Sequence, residues 1–538
     1  MIPPPTPQAV EHRGRPAAPG VAAGPLVRLD RTVARRKASN DPRKECEDLR
    51  AAVAAAIAEI CELAGKVGGD GADILEFQIA MLEDDVLIAP ALDRISAGSD
   101  AVSAWTAALA AQIADYEATE DDYFRARSAD LRDIGDRIVR HLAGEAEAAT
   151  PEGAVLAGED VTPSRFLSVD WSKGGGLALR AGSPSSHVAM LARSRGVPMV
   201  VALGAIDLDG HATVIVDGDA GLVVLSPGER EWAAFRTARA TSEARGAREA
   251  EAAMKPAKTA DGVAVSVMIN VADPAELDRL DPAICDGVGL VRTEFLFHGP
   301  AGLPDEETQY RAYRRILEWA APKPVVIRTL DAGGDKPIDG LTIDGESNPF
   351  LGTRGIRLSL AKPEIFKVQI RAILRAAVHG NAKVMLPMVT VPDEIDAAAA
   401  LFDEAMHDLI EAGAACRMPP LGIMVEVPAV AVAPALFARA AFFSIGSNDL
   451  TQYVTASARD IAAVAALNDP AHPAVMSLIA NVVRVGREIG RDVSLCGDMG
   501  GDPAHLPALV AAGLRTVSVA PPLVGRAKLA IAAIGAAP

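Results

Sequence analysis

In the second half of this 538-residue chain, arginines and carboxylates recur directly after short apolar runs. GLVRTEF supplies Arg292 and Glu294, and VVIRTLDAGGDK supplies Arg328, Asp331, Asp335 and Lys336. NPFLGTRGIRL adds Arg354 and Arg357, and IMVEVP adds Glu426. FFSIGSNDLTQY carries Asn448 and Asp449, and VSLCGDMGGD carries Cys496 and Asp498. A single arginine–carboxylate pair is ordinary structural glue, but a charge after run upon run calls for a site. Arg292, Arg328, Arg354 and Lys336 suit a phosphorylated carboxylate, because guanidinium forks match phosphate and carboxylate oxygens bidentately. Glu426 and Asp449 are hard oxygen ligands of the kind Mg²⁺ takes, one or two carboxylates with substrate oxygens completing the shell. Cys496 admits two readings, an inert buried thiol and an acid–base group at a strand end.

A second feature lies earlier, in GSPSSHVAMLARSRGVP (Gly182–Pro198), where His187 follows a loop of small residues and opens an apolar, Arg-punctuated helix. A lone histidine is most often a satisfied surface or core residue. Its other reading, a nucleophile with a near-neutral pKa, depends on the rest of the chain.

The elements that must position these groups fall into three kinds. Residues 259–538 alternate apolar runs (VAVSVMIN, DGVGLVRTE, KPVVIRTLD, AKVMLPMV, LGIMVEVP, AFFSIGSND, DVSLCGDM, RTVSVAP) with helical patterns such as EETQYRAYRRILEWA and PEIFKVQIRAILRAAV. Continuous apolar strands with helices between them indicate a (β/α)₈ TIM barrel, whose active site lies at the C-terminal strand ends. Residues 41–147 carry apolar spacings of i, i+3, i+4 and i+7, read as a bundle of about four helices. Residues 148–227 return to short β-like runs and predict a small α/β domain. Residues 1–40 contribute to that domain in part, with Ala23–Leu29 as a candidate strand. Gly228–Lys258 is charged, Ala-rich and nearly free of turn residues, which predicts a solvated linker helix between moving domains. The fold class expected is a multidomain α/β protein: a swivelling α/β domain with an inserted helical bundle, then a TIM barrel.

Composition narrows the partners. A net charge of −18 argues against nucleic acid or an anionic membrane surface. Five scattered cysteines without a CxxC pair fit a reducing compartment rather than a disulfide scaffold or structural zinc. The N-terminal MIPPPTPQAVEHRGRP has no apolar core of a secretory signal, and the longest uncharged apolar stretch, Val427–Ala438, is too short to span a bilayer. The expected location is the cytoplasm.

SSHVAMLARSRGVP, GLVRTEFLF, VVIRTLDAGGDK, NPFLGTRGIR, IMVEVPA, FFSIGSNDLTQY and LCGDMGGD together resemble the enzyme I family of the phosphoenolpyruvate:sugar phosphotransferase systems. MLEDD (Met81–Asp85) and RSADLRDIGDRIVR (Arg127–Arg140) extend the resemblance into the helical part, so that it covers about residues 15–525 in order. It implies a phosphoryl relay from phosphoenolpyruvate through His187 to a histidine of the small carrier HPr, with release of pyruvate, as the first step of sugar uptake. His187 is then the phosphohistidine. Arg292, Arg328 and Arg354 grip phosphoenolpyruvate, with Lys336, Asn448 and Arg459 nearby. Glu426 and Asp449 hold Mg²⁺, and Cys496 protonates the enolate. The helical insert docks HPr, with Met81, Leu82, Arg127 and Arg132 in its matching segments. The family dimerises through the barrel.

The sequence departs from the family in two motifs, and it is also expected to lack the longer helical tail that many members carry after the last strand. Where the family has a Gly-Gly-x-Thr-Ser-His loop, this chain reads Gly182-Ser183-Pro184-Ser185-Ser186-His187, and Pro184 removes one backbone N–H. Ala458 stands where an acidic residue commonly precedes the arginine. Two alternatives are weighed against the relay. A pyruvate phosphate dikinase or phosphoenolpyruvate synthase would need a large ATP-binding domain, and the region before His187 is mostly helical without a Gly-rich phosphate loop. A regulator that binds phosphoenolpyruvate or a carrier without turnover would not require the intact set of His187, arginines, Glu426, Asp449 and Cys496.

Overall fold

The computed structural model describes residues 9–29, 36, 38–39, 41–65, 70–118, 122–145, 150–184, 186–297, 302–334, 338, 340–343, 346–458 and 464–535. The chain divides into two compact units, Met1–Arg245 and Gly246–Pro538.

In the first unit an eight-stranded sheet has the order β1-β8-β7-β3-β4-β5-β6-β2. The strands are β1 (Val10–Arg13), β2 (Arg15–Ala18), β3 (Val21–Arg28), β4 (Val155–Gly158), β5 (Gly176–Leu179), β6 (Met199–Val201), β7 (Thr213–Asp217) and β8 (Leu222–Leu225). The strand expected over Ala23–Leu29 is therefore present as β3, which pairs with β7 and β4 and ties the N-terminal segment into the sheet. β1 and β2 were not legible in the proline-rich start; they are short edge strands, where Pro16 is tolerated because its missing N–H can face away from the ladder.

The helical insert leaves the sheet after β3 and returns at β4. It comprises α1 (Pro42–Ala64), α2 (Asp70–Glu83), α3 (Asp85–Ser96), α4 (Ala101–Ala118) and α5 (Asp122–Ala143). Among the described residues the bundle expected to hold about four helices thus holds five, with α2 and α3 together spanning ADILEFQIAMLEDDVLIAPALDRI. Asp84, extended at φ −81° and ψ 119°, accepts a hydrogen bond from the Val86 N–H and starts α3, which breaks the preceding helix. Bundle and sheet share one core: Leu49, Ile60, Trp105 and Ile138 pack in the same cluster as Phe166, Val188, Ala189 and Ala192. Phe166 comes from α6 (Pro163–Leu167), and the last three from α7 (His187–Arg195). α8 (Glu229–Ala253) follows the sheet and is mostly exposed, as its composition requires.

The second unit is a closed barrel of parallel strands in sequential order. They are β9 (Ser266–Val271), β10 (Val288–Val291), β11 (Pro324–Arg328), β12 (Asn381–Leu386), β13 (Leu421–Val425), β14 (Phe442–Ile445), β15 (Asp492–Leu495) and β16 (Thr516–Val519). The helices are α9 (Glu306–Ala320), α10 (Ile356–Ala361), α11 (Pro363–Ala376), α12 (Pro392–Glu411), α13 (Pro428–Val432), α14 (Ser447–Thr455), α15 (Pro473–Glu488), α16 (Leu506–Ala511) and α17 (Val524–Ala533). Strand alternation decides what faces where. Val325 and Ile327, Val384 and Leu386, Ile423 and Val425, Phe443 and Ile445 all join the large core beneath the helices. The intervening residues turn inward, and Leu290, Val326, Met385, Met424, Phe442 and Cys496 form a separate apolar cluster there. Continuing the same period places Arg328 and Glu426 on the inner face at the C-terminal mouth.

Candidate functional site

The barrel site is built on those inward positions. Arg328 ends β11 and is buried; its Nη2 donates to Glu294 Oε1 at 3.0 Å, and its Nη1 lies 3.1 Å from Asp331 Oδ2. Asp331 in turn receives Arg354, Nε to Oδ1 at 3.2 Å and Nη2 to Oδ2 at 2.9 Å. Arg354 Nη2 also reaches Asp449 Oδ2 at 3.3 Å, and its Nη1 donates to the Tyr453 hydroxyl at 3.3 Å. Burial alone would lower the pKa of both guanidinium groups, but the charges of Asp331 and its acidic neighbours outweigh it and hold both above the ordinary arginine value. Two permanently charged cations thus sit in a largely dehydrated cleft where their fields are strong.

Glu426 follows β13 with only 1% of its surface exposed. Its Oε1 accepts the Met388 backbone N–H at 2.7 Å. Burial first, then the nearby charges of Asp449 and Asp331, push its pKa up to about 8 despite the opposing arginines. Carboxylates crowded in this way are relieved by a cation. The donor set of Glu426 and Asp449 therefore fits Mg²⁺, which needs only one or two protein carboxylates. Among the described residues no cluster of three or more histidine, cysteine, aspartate or glutamate side chains forms a preformed metal cage.

Cys496 lies just beyond β15, buried, with its Sγ 3.7 Å from the Ile445 carbonyl. Burial pushes the thiol above its ordinary range, opposed by Ser444 and by the positive charges of Arg328 and Arg292. A thiol held protonated beside cations is equipped to give up a proton to a developing carbanion. Arg292 follows β10 and is exposed, while Asn448 and Asp498 hold each other: Asn448 Nδ2 donates to Asp498 Oδ2 at 2.9 Å, and the Asp498 N–H donates to Asn448 Oδ1 at 3.0 Å. The expected residues Lys336 and Arg459 lie outside the described residues, as does Asp335.

His187 begins α7 in the other unit, and its side chain is outside the described part. Ser186 caps the helix by accepting the Ala189 N–H at 3.2 Å. Arg193, one face further along, donates from Nη1 to the carbonyls of Pro184 and Ala17, both at 2.7 Å, which ties the loop to its helix and to β2. Gly196 ends α7 at φ +65°, a left-handed cap that glycine adopts without strain. Position 187 thus sits at a helix N-terminus, whose dipole favours an anionic substituent.

Of the residues expected to face a partner, Met81 is half-buried and Arg132 exposed, and the side chain of Arg127 is outside the described part. Leu82 is corrected: at 1% exposure it belongs to the core shared by bundle and sheet, because its position on α2 points inward. Sequence reasoning missed Tyr453 and Met388. Tyr453 lies four residues after Asp449 on α14, a helical spacing that could have flagged it. Met388 acts through its backbone, at φ +60°, and no residue type signals that.

Comparison with known proteins agrees with this architecture. Residues 246–536 match the family model described as PEP-utilising enzyme, PEP-binding domain. Residues 13–127 and 150–221 match the N-terminal and mobile domains of the same enzymes. The chain belongs to the PEP-utilising enzyme family. It is similar to the phosphoenolpyruvate-protein phosphotransferase of Geobacillus stearothermophilus, 36% identical over 520 residues, covering 94% of this chain and 90% of that one. The protein of the same name from Staphylococcus aureus is 34% identical over 528 residues, 94% of this chain and 91% of the relative. A multiphosphoryl transfer protein of Rhodobacter capsulatus is 39% identical over 454 residues, 83% of this chain and 54% of its own length. Among solved structures, an NMR structure of Enzyme I (nEIt) is 27% identical, with a TM-score of 0.37, covering 43% of this chain and 99% of that one. The resemblance read from the motifs is therefore borne out.

Proposed function

We infer that the chain is a phosphoenolpyruvate-protein phosphotransferase of the sugar phosphotransferase system, moving the phosphoryl group of phosphoenolpyruvate by way of His187 to a histidine of HPr. The observation that carries this is the pair Arg328–Arg354, buried and cross-linked through Asp331 at the barrel mouth, beside Glu426, Asp449 and Cys496. In this reading Arg292, Arg328 and Arg354 bind and orient phosphoenolpyruvate, assisted by Lys336, Asn448 and Arg459. Glu426 and Asp449 hold Mg²⁺, which neutralises phosphoryl oxygen charge when bound. The imidazole of His187 attacks phosphorus in line; the P–N bond forms as the P–O bond to the enolate breaks. The arginines stabilise the enolate, and the Cys496 thiol delivers its proton to the methylene carbon, giving pyruvate.

Residues 148–227, with part of 1–40, form the phosphohistidine domain and 259–538 the phosphoenolpyruvate domain. Residues 41–147 dock HPr through Met81, Arg127 and Arg132. The helix within 228–258 serves as the hinge on which the phosphohistidine travels. The reading further holds that the protein works in the cytoplasm as a homodimer joined through the barrel; no helix among the described residues is long and apolar enough to cross a membrane. The test is transfer of label from [³²P]phosphoenolpyruvate with Mg²⁺. Wild type is expected to acquire acid-labile label and pass it to HPr, and His187→Ala is expected to acquire none. Label that never leaves for a carrier would sink the reading in favour of a phosphoenolpyruvate-responsive regulator.

A further inference from the structure

The opposite, N-terminal end of the barrel departs from what such barrels need. Their interiors are normally filled by layers of bulky, branched apolar side chains. At this mouth an open pocket of about 560 Å³ is lined from the strands by Met268, Val326, Phe442, Lys383, Ser494 and Thr516, with Asp492 at its exposed rim. By strand alternation Lys383 faces inward beside Met385, and Asp492 and Ser494 face inward on the same side as Cys496. Lys383, Ser494 and Thr516 are half-buried there, at strand positions such barrels usually fill with apolar side chains, a local rule-breaking of the kind that accompanies function.

Most of the charges are positive. Lys383, Arg487, Arg491 and Arg515 line the cavity against one carboxylate, Asp492, in a chain whose net charge is −18. Two of these cations are fixed by backbone carbonyls. Arg491 donates from Nε and Nη2 to the Ala438 carbonyl at 3.1 and 2.8 Å, and Arg515 from Nη1 to the carbonyls of Val510 and Leu514 at 2.9 and 2.8 Å. Neither bond neutralises the guanidinium charge. Lys383 Nζ stands 5.3 Å from the centre of the Phe442 ring, and among the described residues neither Lys383 nor Arg487 has an ion-pair partner. Gly513, at φ +98°, lets Arg487 approach: a Cβ there would lie 2.7 Å from its Nη2. Positioned guanidinium forks, a lysine and two hydroxyls around a pocket of small-molecule size are a recognition set for phosphoryl oxygens.

We propose that the cavity at the N-terminal mouth of the barrel binds a small phosphate-bearing anion, separately from the site at the C-terminal mouth. Its upper wall includes Val326 and Phe442, which belong to the same packed cluster as Cys496, so occupancy would be felt by the floor of the reaction site.

Calorimetric titration of the full chain with pyrophosphate, in the absence of divalent metal, tests this. Wild type is expected to show two binding events. Lys383→Gln/Arg487→Gln is expected to weaken one of them about tenfold or more, the scale of losing two charge-assisted contacts, while leaving phosphoryl transfer from phosphoenolpyruvate intact. Arg354→Gln is expected to weaken the other event instead. Arg487→Glu, on an exposed helix position, provides a second variant should the double one fail to fold. Succinate in place of pyrophosphate is expected not to compete for the lower site. Unchanged pyrophosphate binding in both lower-mouth variants would overturn the proposal, and equal competition by succinate would overturn the phosphoryl class.

Discussion

At the scale of single residues, the site depends on protonation states fixed by burial. The Cys496 thiol is raised above its ordinary pKa, so deprotonation is deferred to more alkaline pH and the acid form persists through neutrality. At pH 8 iodoacetamide is therefore expected to alkylate exposed Cys61 well before Cys496, as peptide mass mapping over time would show. Early modification of Cys496 would contradict its assignment as a buried protonated acid. Cys496→Ser is expected to lower pyruvate release by about 10² or more, the usual scale for loss of a general acid, while label still binds. Tyr453 is neutral through the same range, its pKa pushed up to about 12 mainly by burial. Its hydroxyl donates to the Phe350 carbonyl at 2.6 Å and accepts from Arg354. Tyr453→Phe should loosen Arg354 and raise the KM for phosphoenolpyruvate several-fold with little change in kcat; a kcat effect alone would count against a positioning role.

At the scale of elements, two short turns hold the chemistry in place. Gly355, at φ +57°, precedes α10, and a Cβ there would lie 2.9 Å from the Met388 Cβ and 3.3 Å from Asp331 Oδ1. Since Met388 donates its N–H to Glu426, Gly355→Ala would disturb Asp331 and the carboxylate together. The expected result is weaker Mn²⁺ binding by electron paramagnetic resonance, with a stability loss of about 1–2 kcal/mol from the left-handed backbone; unchanged Mn²⁺ affinity would contradict it. Ser186→Ala should cost about 1 kcal/mol in thermal unfolding through loss of the α7 cap. The barrel strands were legible because parallel strands buried on both faces read as apolar runs, and their C-terminal charges stood out against that background. Elements governed by local polar geometry were less visible. Asp84 separates α2 from α3 within one stretch of continuous apolar periodicity, β1 and β2 lie in a proline-rich stretch, and the Met388 N–H has no sequence signature at all. Leu82 shows the complementary failure: a motif match locates a segment, while helix phase decides which of its residues face solvent.

At the scale of the whole molecule, the sheet with its inserted bundle forms one compact unit and the barrel another, and the sequence of α8 crosses the division between them. In the proposed relay, His187 belongs to the first unit and the phosphoenolpyruvate residues to the second, so His187 would have to serve the barrel and then a carrier. A break at the linker should separate the half-reactions. A chain with α8 lengthened by a flexible Gly/Ser insert is expected to keep exchange of label between phospho-HPr and His187 while slowing phosphorylation by phosphoenolpyruvate, because a looser tether lowers effective concentration. Equal slowing of both steps would argue against the hinge. The central claim is tested most directly by mapping the label: after incubation with [³²P]phosphoenolpyruvate and Mg²⁺, the acid-labile phosphate is expected on the peptide containing His187 and nowhere else, and to vanish upon addition of HPr. Label on any other residue, or undiminished label on His187→Ala, would contradict the account.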